Sequence, residues 1–597
     1  MYNKPYILGF GMIEVVVALG IFAVVGVTGI TMVTHSFSVN RLGDEQTIAT
    51  NLATQGLEIT RGIRSQGWGI LGAGSYGLQK NAGIWSFSPS PETWDKYTRT
   101  IVVSNGQRDG SGNIVDSGGS VDSDLKKITS TVTFNTSPTR HNSVVLVDYL
   151  TNYSKNIPTN SGEGIVVYGD TTTTPKWRYY TNSTDLFSSE ANTIANESAF
   201  NIIVKTSPLK SEAIAAYTSS AGTLHVLCYN GSSWSEDWSV SAGGTGTTRR
   251  FDVTYENTTG KAMVVYSTNS ANTNELAYRT KPNSSNCGNI GWTAAINLDP
   301  VRTSGIVQWV KLASDNRTSS NILGLIWADS ASDLSAMLWN GSSWVNEPTA
   351  VTEASLEVVT VAQDVEDFDL QFESVSGNLM LIWSNSGGGN SVRYRRCTGG
   401  TATCTWGAVT TPPTFADDAT NLTLAADPGS NNMVFASIGN NQSDLQIGYW
   451  NGTTSAWTNT ANVDTSCTTP VAGRQKIAAG FLRSGATVRS VVMYDDQGAG
   501  NIGWYVGNAG VFTLQTDFVP TPTFANNQGY YQFDIDPKNS DRGIFIVADN
   551  SNDLFGKRLV MNATPTFSWS NSDSSTALEL NLSQVISSPY NFAYWRN

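Results

Sequence analysis

The spacing of apolar residues changes twice along this chain, and each change predicts a different structure. From position 10 to 34 Glu14 is the only charged residue, and 15–33 carries no charge at all. As a helix, such a run is long enough to cross about 30 Å of hydrocarbon. Further on, Ile48, Leu52, Ile59 and Ile63 recur at helical intervals, with Asp44, Glu45, Glu58, Arg61 and Arg64 on other faces. The pattern predicts one helix over 10–66, roughly 80 Å long at 1.5 Å per residue. Gly56 and Gly62 are expected to weaken it locally. The period then drops to two. Residues 97–104, 127–134 and 144–150 alternate as strands, with a turn-rich loop over 107–124. A helix whose second half packs on a small antiparallel sheet (67–152) is the expected α+β module. The polar stretch 153–162, with Pro158 inside, reads as a linker.

From 163 to 597 the chain repeats itself. Eight short apolar runs end at Tyr168, Tyr217, Tyr266, Trp327, Trp383, Ser437, Tyr494 and Ala548, spaced 49 to 61 residues apart. A second strand follows most runs and often closes on a turn and a tryptophan, as in 224–234, 334–344 and 445–457. A third strand precedes most of them, as in 251–255, 368–372 and 531–535. Asn-Gly between apolar runs is a hairpin signal. Three or four strands per unit at this period match the blades of an all-β propeller. The count is eight blades, or seven if the first unit is irregular. A row of immunoglobulin-like domains would need about 100 residues per repeat. The first unit lacks a leading strand, and 590–595 (YNFAYW) is placed to supply it, closing the ring without an open sheet edge. The recurring aromatics are expected to fill space between blades.

The N-terminus carries the most specific motif. Residues 1–9 form a short leader with one lysine, Lys4, ending in Gly9; Phe10 follows, and Glu14 lies five residues after the glycine. This resembles the processing site of type IV prepilins and related pseudopilins. The segments ATQGLEITRGIRSQGW, RDGSGNIVDSGG and DLKKITSTVTF are also similar to minor pilins. The resemblance implies cleavage between Gly9 and Phe10 by a prepilin peptidase and methylation of the Phe10 amine. It implies a single pass of the cytoplasmic membrane, then transfer into an extracellular filament of other pilin subunits. Physical chemistry agrees. A carboxylate costs roughly 2.5–3.5 kcal/mol at a bilayer centre, and a buried charge is tolerated when paired. The freed amine of a neighbouring subunit would pair with Glu14. An ordinary signal peptide fits less well, because no small-residue cleavage site follows the apolar run.

Composition narrows the function. Only 14% of residues are charged, while Gly (55), Trp (18) and Tyr (22) are abundant, as suits an all-β extracellular protein. A net charge of -13 argues against a nucleic-acid partner. Of five cysteines, Cys397 and Cys404 are placed to bridge a hairpin, Cys228 and Cys287 can form a second pair, and one thiol is left over. Candidate chemistry is sparse. His35, His141 and His225 show no metal-ligand spacing. The charged stretches 364–369 (DVEDFD) and 393–397 (RYRRC) read as loop surface charge, and calcium in the Asp-rich 534–541 is only weakly suggested. The chain therefore reads as a binding protein with no cofactor: a minor, tip-located pilin whose propeller adheres to a surface, cell or glycan. The alternatives are a pseudopilin of a secretion or DNA-uptake machine, and a pilin-anchored glycoside hydrolase.

Overall fold

The computed structural model describes residues 11–64, 68–81, 84–109, 113–137, 139–151, 163–194, 196–242, 248–356, 366–386, 391–413, 419–439, 444–458, 462–465, 467, 475–496, 502–518, 529–570, 577–583 and 588–596. The chain divides into two compact units, Met1–Lys155 and Asn156–Asn597.

In the first unit a 53-residue helix, Met12–Arg64, precedes a seven-stranded sheet. The apolar early part of the helix is exposed among the described residues: Ile13, Val16, Leu19, Phe22 and Val25 are each more than 60% exposed. The later part buries Ala49, Ala53, Ile59 and Ile63 against the sheet residues Ile101, Val103, Val132 and Phe134. Gly56 is a site of close approach. A Cβ there would lie 2.6 Å from Ser130 Oγ and 2.9 Å from Ile101 Cδ1. Its helix penalty is thus exchanged for helix–sheet contact, whereas Gly62 faces open space. The fully buried Arg99 ties the two layers. Its guanidinium donates to Glu92, the Leu52 carbonyl and Gln55, and stacks on Trp94.

The sheet runs further than alternation predicts. Its order is Ile84–Ser88, Gly74–Asn81, Tyr97–Arg108, Ser120–Ser137, Arg140–Thr151. The expected loop over 107–124 contributes pairs such as Gln107↔Val121, beyond a register shift at Asn105/Gly106. The glycine-rich first strand carried no period-two signal.

The second unit is an eight-bladed propeller. Eight antiparallel sheets follow one another, each with a path of four strands and a fifth short strand in blades 1 and 6: blade 2 (199–241), blade 3 (251–298), blade 4 (307–345), blade 5 (368–406), blade 6 (419–458), blade 7 (477–514) and blade 8 (532–570), with blade 1 split between the two ends of the unit. The innermost strand of blade 1 is Tyr590–Tyr594, paired antiparallel with Gly164–Tyr168. The innermost strands touch in sequence round the ring, Tyr590–Tyr594 meeting both Gln532–Ile535 and Ala199–Thr206. Each apolar run found in the sequence is the second strand of its blade. Tyr168, Tyr217, Tyr266, Trp327, Trp383 and Tyr494, which end six of them, are at most 3% exposed.

Adjacent blades are joined by two alternating kinds of contact. At each odd-to-even junction an aromatic of the odd blade meets, edge-on, the closing tryptophan of the next. The pairs are Trp177–Trp234, Tyr278–Trp344, Tyr394–Trp457 and Trp504–Trp569, with centroids 5.6–6.2 Å apart. At the same four junctions a backbone N–H of the even blade donates to the carbonyl two residues before the start of the odd blade's innermost strand. Ile202 donates to Ser588, Val310 to Arg249, Leu422 to Glu366 and Tyr531 to Gln475. The architecture is thus four pairs of blades. The other junctions are each built differently; blades 2 and 3, for example, share the Cys228–Cys287 disulfide. The NGSSW turns have a local cause. The Asn230 and Asn340 carboxamide oxygens each accept two backbone N–H groups of the turn, with Gly231 and Gly341 at positive φ.

Two outcomes follow from this architecture. Removing 588–597 leaves Gly164–Tyr168 as an open edge and is expected to abolish cooperative unfolding of the propeller, read by calorimetry. Trp457→Ala is expected to destabilise the propeller by about 3–5 kcal/mol, read as a lower denaturant midpoint; an unchanged midpoint would refute the role given to the aromatic pairs.

Candidate functional site

The most concentrated chemistry of the propeller lies on its axis. Several innermost strands carry, at or next to their start, a polar residue flanked by aromatic or aliphatic residues: Phe251-Asp252-Val253, Phe368-Asp369-Leu370, Tyr531-Gln532-Phe533 and Tyr590-Asn591-Phe592. Each reaches across to the next blade. Asp252 accepts the Leu312 N–H at 2.8 Å, Asp369 that of Leu424 at 2.8 Å, Gln532 that of Phe592 at 2.9 Å and Asn591 that of Val204 at 2.9 Å. The edge of each innermost strand would otherwise leave unpaired N–H groups at the axis. Here side chains pair them.

Above these bonds sits a buried charge network. Glu366, 3% exposed, accepts Arg249 at 3.1 Å and pairs with Lys311 at 2.9 Å. Lys311 also reaches Asp369 at 2.9 Å. Burial pushes the Glu366 carboxyl up, but Arg249 and Lys311 outweigh it and hold the group below its ordinary value. Burial likewise opposes the charge on Lys311, and Asp369 and Glu366 overcome that and raise it. Asp252, Asp369 and Asp534 are raised, in each case chiefly by burial. Tyr530 is pushed up to about 12 by burial.

The network borders a cavity of about 320 Å³ lined by residues from all eight blades, among them Lys205, Arg249, Glu366, Gln475, Asp534 and Asn591. A second hollow of about 360 Å³ lies between blades 6 and 7. Its one charge, Arg489, is already bonded to Asn508 and the Val488 carbonyl.

The residues singled out from the sequence are placed as follows. Gly9 and Phe10 lie outside the described residues. Glu14 is in the first helical turn and accepts the Gly11 N–H at 2.9 Å. Cys397 is joined to Cys404 and Cys228 to Cys287, and Cys467 is free and buried. Among the described residues one grouping has metal-ligand spacing, Glu212, Cys228 and Cys287, and its two sulfurs are bonded to each other. In the stretch 534–541 carboxylates have protein partners. The Asp536 carboxylate is taken up by the N–H groups of Lys538 and Asn539 and the Asn182 carboxamide, and Asp541 pairs with Arg542. His225 lies between Glu236 and Glu197, and His141 bonds Asn135. Reading 364–369 as surface charge needs correction. Asp364 and Val365 lie outside the described residues, but Glu366, Asp367 and Asp369 are each at most 3% exposed, because they enter the innermost strand of blade 5. Of 393–397, Arg396 pairs with Glu373 and stacks on Trp450, and Arg395 lies over Trp406.

No protein-family model matches the chain, and neither does any curated protein. Solved structures share the propeller fold at low similarity. The BP39L lectin from Burkholderia pseudomallei is 12% identical, covers 64% of this chain and 99% of its own, and superposes with a TM-score of 0.43. The polysaccharide lyase Uly1 is 10% identical over 64% of this chain and 91% of its own, at 0.36. A mutant of the Aleuria aurantia lectin AAL, in complex with Fucα1-6GlcNAc, is 12% identical over 63% and 97%, at 0.30. At these scores nothing about binding or activity passes from them to this chain.

Sequence reasoning missed Lys205, Arg249, Lys311, Gln475 and Asn591 as site residues. The available signal was a polar residue set inside an apolar strand, as in IIVKT (202–206) and WVKLA (309–313).

Glu366 gives this network a testable pH dependence. Its folded value is depressed, so its contribution is present above the unfolded value of about 4.3 and is lost as pH falls through the lower folded value. Removing one partner of such a buried pair costs about 3–5 kcal/mol. Denaturant melts are expected to show wild type exceeding Glu366→Gln by that margin at pH 7, with the gap narrowing at pH 3. Asp252 and Asp369 act in the opposite sense but are common to both proteins.

Proposed function

We propose that the protein is a minor type IV pilin, held at the filament tip, whose propeller attaches the filament to a surface, cell or glycan. The observation that carries this reading is the joining, in one chain, of an apolar helix with no partner of its own and a closed ring that presents loops from eight blades. The exposed apolar half of Met12–Arg64 is long and apolar enough to cross a membrane. In a filament the same surface would be covered by the helices of neighbouring subunits. A ring spanning 163–597 hangs from a head of about 90 residues. Copies repeated at the spacing of shaft subunits would collide, and one or a few copies at the tip would not. A rigid ring with recognition on its loops or axis suits binding. Against hydrolysis, the described axial carboxylates are held by cations, N–H groups or the Gln532 amide, leaving no evident free acid–base pair.

Immunogold labelling of native filaments with antibody to the propeller is expected to mark ends; label along the whole shaft would overturn the tip placement. Glu14→Ala is expected to leave membrane insertion intact while removing the protein from sheared filaments. Normal incorporation would refute the pairing of Glu14 with a neighbour's amine.

A further inference from the structure

We propose that the axial cavity is the ligand site of the propeller, and that it takes one neutral, hydroxyl-rich ring, the terminal sugar of a glycan. This rests on the adhesive reading above and narrows it to a place and a chemical class. All eight blades contribute to the cavity, so it exists only in the closed ring.

Three lining groups have hydrogen-bonding capacity left over. Arg249 is 4% exposed, and its Nε has no hydrogen-bond partner, although its Nη2 donates to both Glu366 and the Val310 carbonyl. Gln475 is 7% exposed; its amide nitrogen donates to the Leu422 carbonyl while its Oε1 accepts nothing. Lys205 lines the same cavity and makes no hydrogen bond or ion pair among the described residues, although its charge acts through space on Asp252 and Asp534. A buried polar atom left unpaired is costly, so an occupant that completes these bonds is favoured.

The leftover set contains donors and an acceptor. A hydroxyl is both, so a ring bearing several can serve Arg249, Lys205 and Gln475 together. An anion would serve only the donors, in a lining that already sets Asp252, Glu366, Asp369 and Asp534 against Lys205, Arg249 and Lys311. A cation would leave the donors unmet. The volume of about 320 Å³ lies at the lower end of pockets that hold small organic ligands, roughly 300–1,000 Å³. Ordered water satisfies the same atoms when no ligand is present, and a hydroxylated ring reproduces its bonds on displacing it.

The test uses the intact protein in lauryldimethylamine oxide, a detergent without sugar. The probes are methyl glycosides of glucose, galactose, mannose, fucose and N-acetylglucosamine, with glucuronic acid and choline as charged comparisons. At least one neutral glycoside is expected to raise Tm, since a ligand that binds only the folded state stabilises it. Lys205→Met is expected to keep the Tm of the free protein and lose roughly tenfold or more in affinity by calorimetric titration, as for one charge-assisted hydrogen bond. Gln475→Leu is expected to lose affinity likewise. Undiminished glycoside binding by both variants would overturn the axial site while leaving adhesion standing. Preference for glucuronic acid or choline would overturn the neutral class. If no probe shifts Tm yet whole filaments still attach to surfaces, the cavity holds water only and the inference fails without the adhesive reading.

Discussion

A sheet edge has to be paired, and in the propeller that requirement joins residues more than 400 positions apart. Tyr590–Tyr594 completes the blade begun by Gly164–Tyr168. Without it one blade would lack its innermost strand, and the axis would lack Asn591, whose carboxamide holds the Val204 N–H of blade 2. The cavity follows from closure, because its lining comes from all eight blades. Phe592 and Tyr594, at most 5% exposed, pack with Val166 and Tyr168 from the other end of the unit and Ile544 and Ile546 from blade 8. The closing strand therefore carries apolar burial as well as backbone bonds.

Within the ring, alternation of junctions divides the labour. The four odd-to-even junctions use one device, an edge-on aromatic pair, which lets the positive edge of one ring meet the negative face of the other. The indole N–H groups of Trp234, Trp344, Trp457 and Trp569 have no conventional partner among the described residues, in keeping with that arrangement. The remaining junctions are free to differ, with a disulfide at one and the Asn346–Cys404 bond beside a second disulfide at another. Repetition supplies the frame, and the irregular contacts make each blade distinct. The axial site draws on both. The strand that contains Lys205 and the one that contains Asp252 hold corresponding positions in neighbouring blades, yet they bear opposite charges.

The first unit obeys a different constraint. Its helix has a half that packs and a half that does not. Gly56 and Arg99 press the later half onto the sheet, and the apolar earlier half is left exposed. The same carboxylate, Glu14, that is awkward in hydrocarbon is already engaged locally by the Gly11 N–H.

Much of this was legible in the amino-acid order. Period 3.6 up to Ile63, period two afterwards, and eight apolar runs at a near-constant step announce a helix, a sheet and a ring, because burying one face imposes a rhythm on the residues that do it. The isolated YNFAYW at the far end marked the closing strand for the same reason. The paired organisation of blades was hidden, because the apolar runs recur in every blade, and the tryptophans that meet the preceding blade's aromatic, 110 to 113 residues apart, are told from the other aromatics only by their contacts. The axial site was hidden too. Its members, from Lys205 to Asn591, have no local spacing in common. Sequence settles what each strand must bury; which buried charges meet depends on the angle between blades, and only the folded ring sets that.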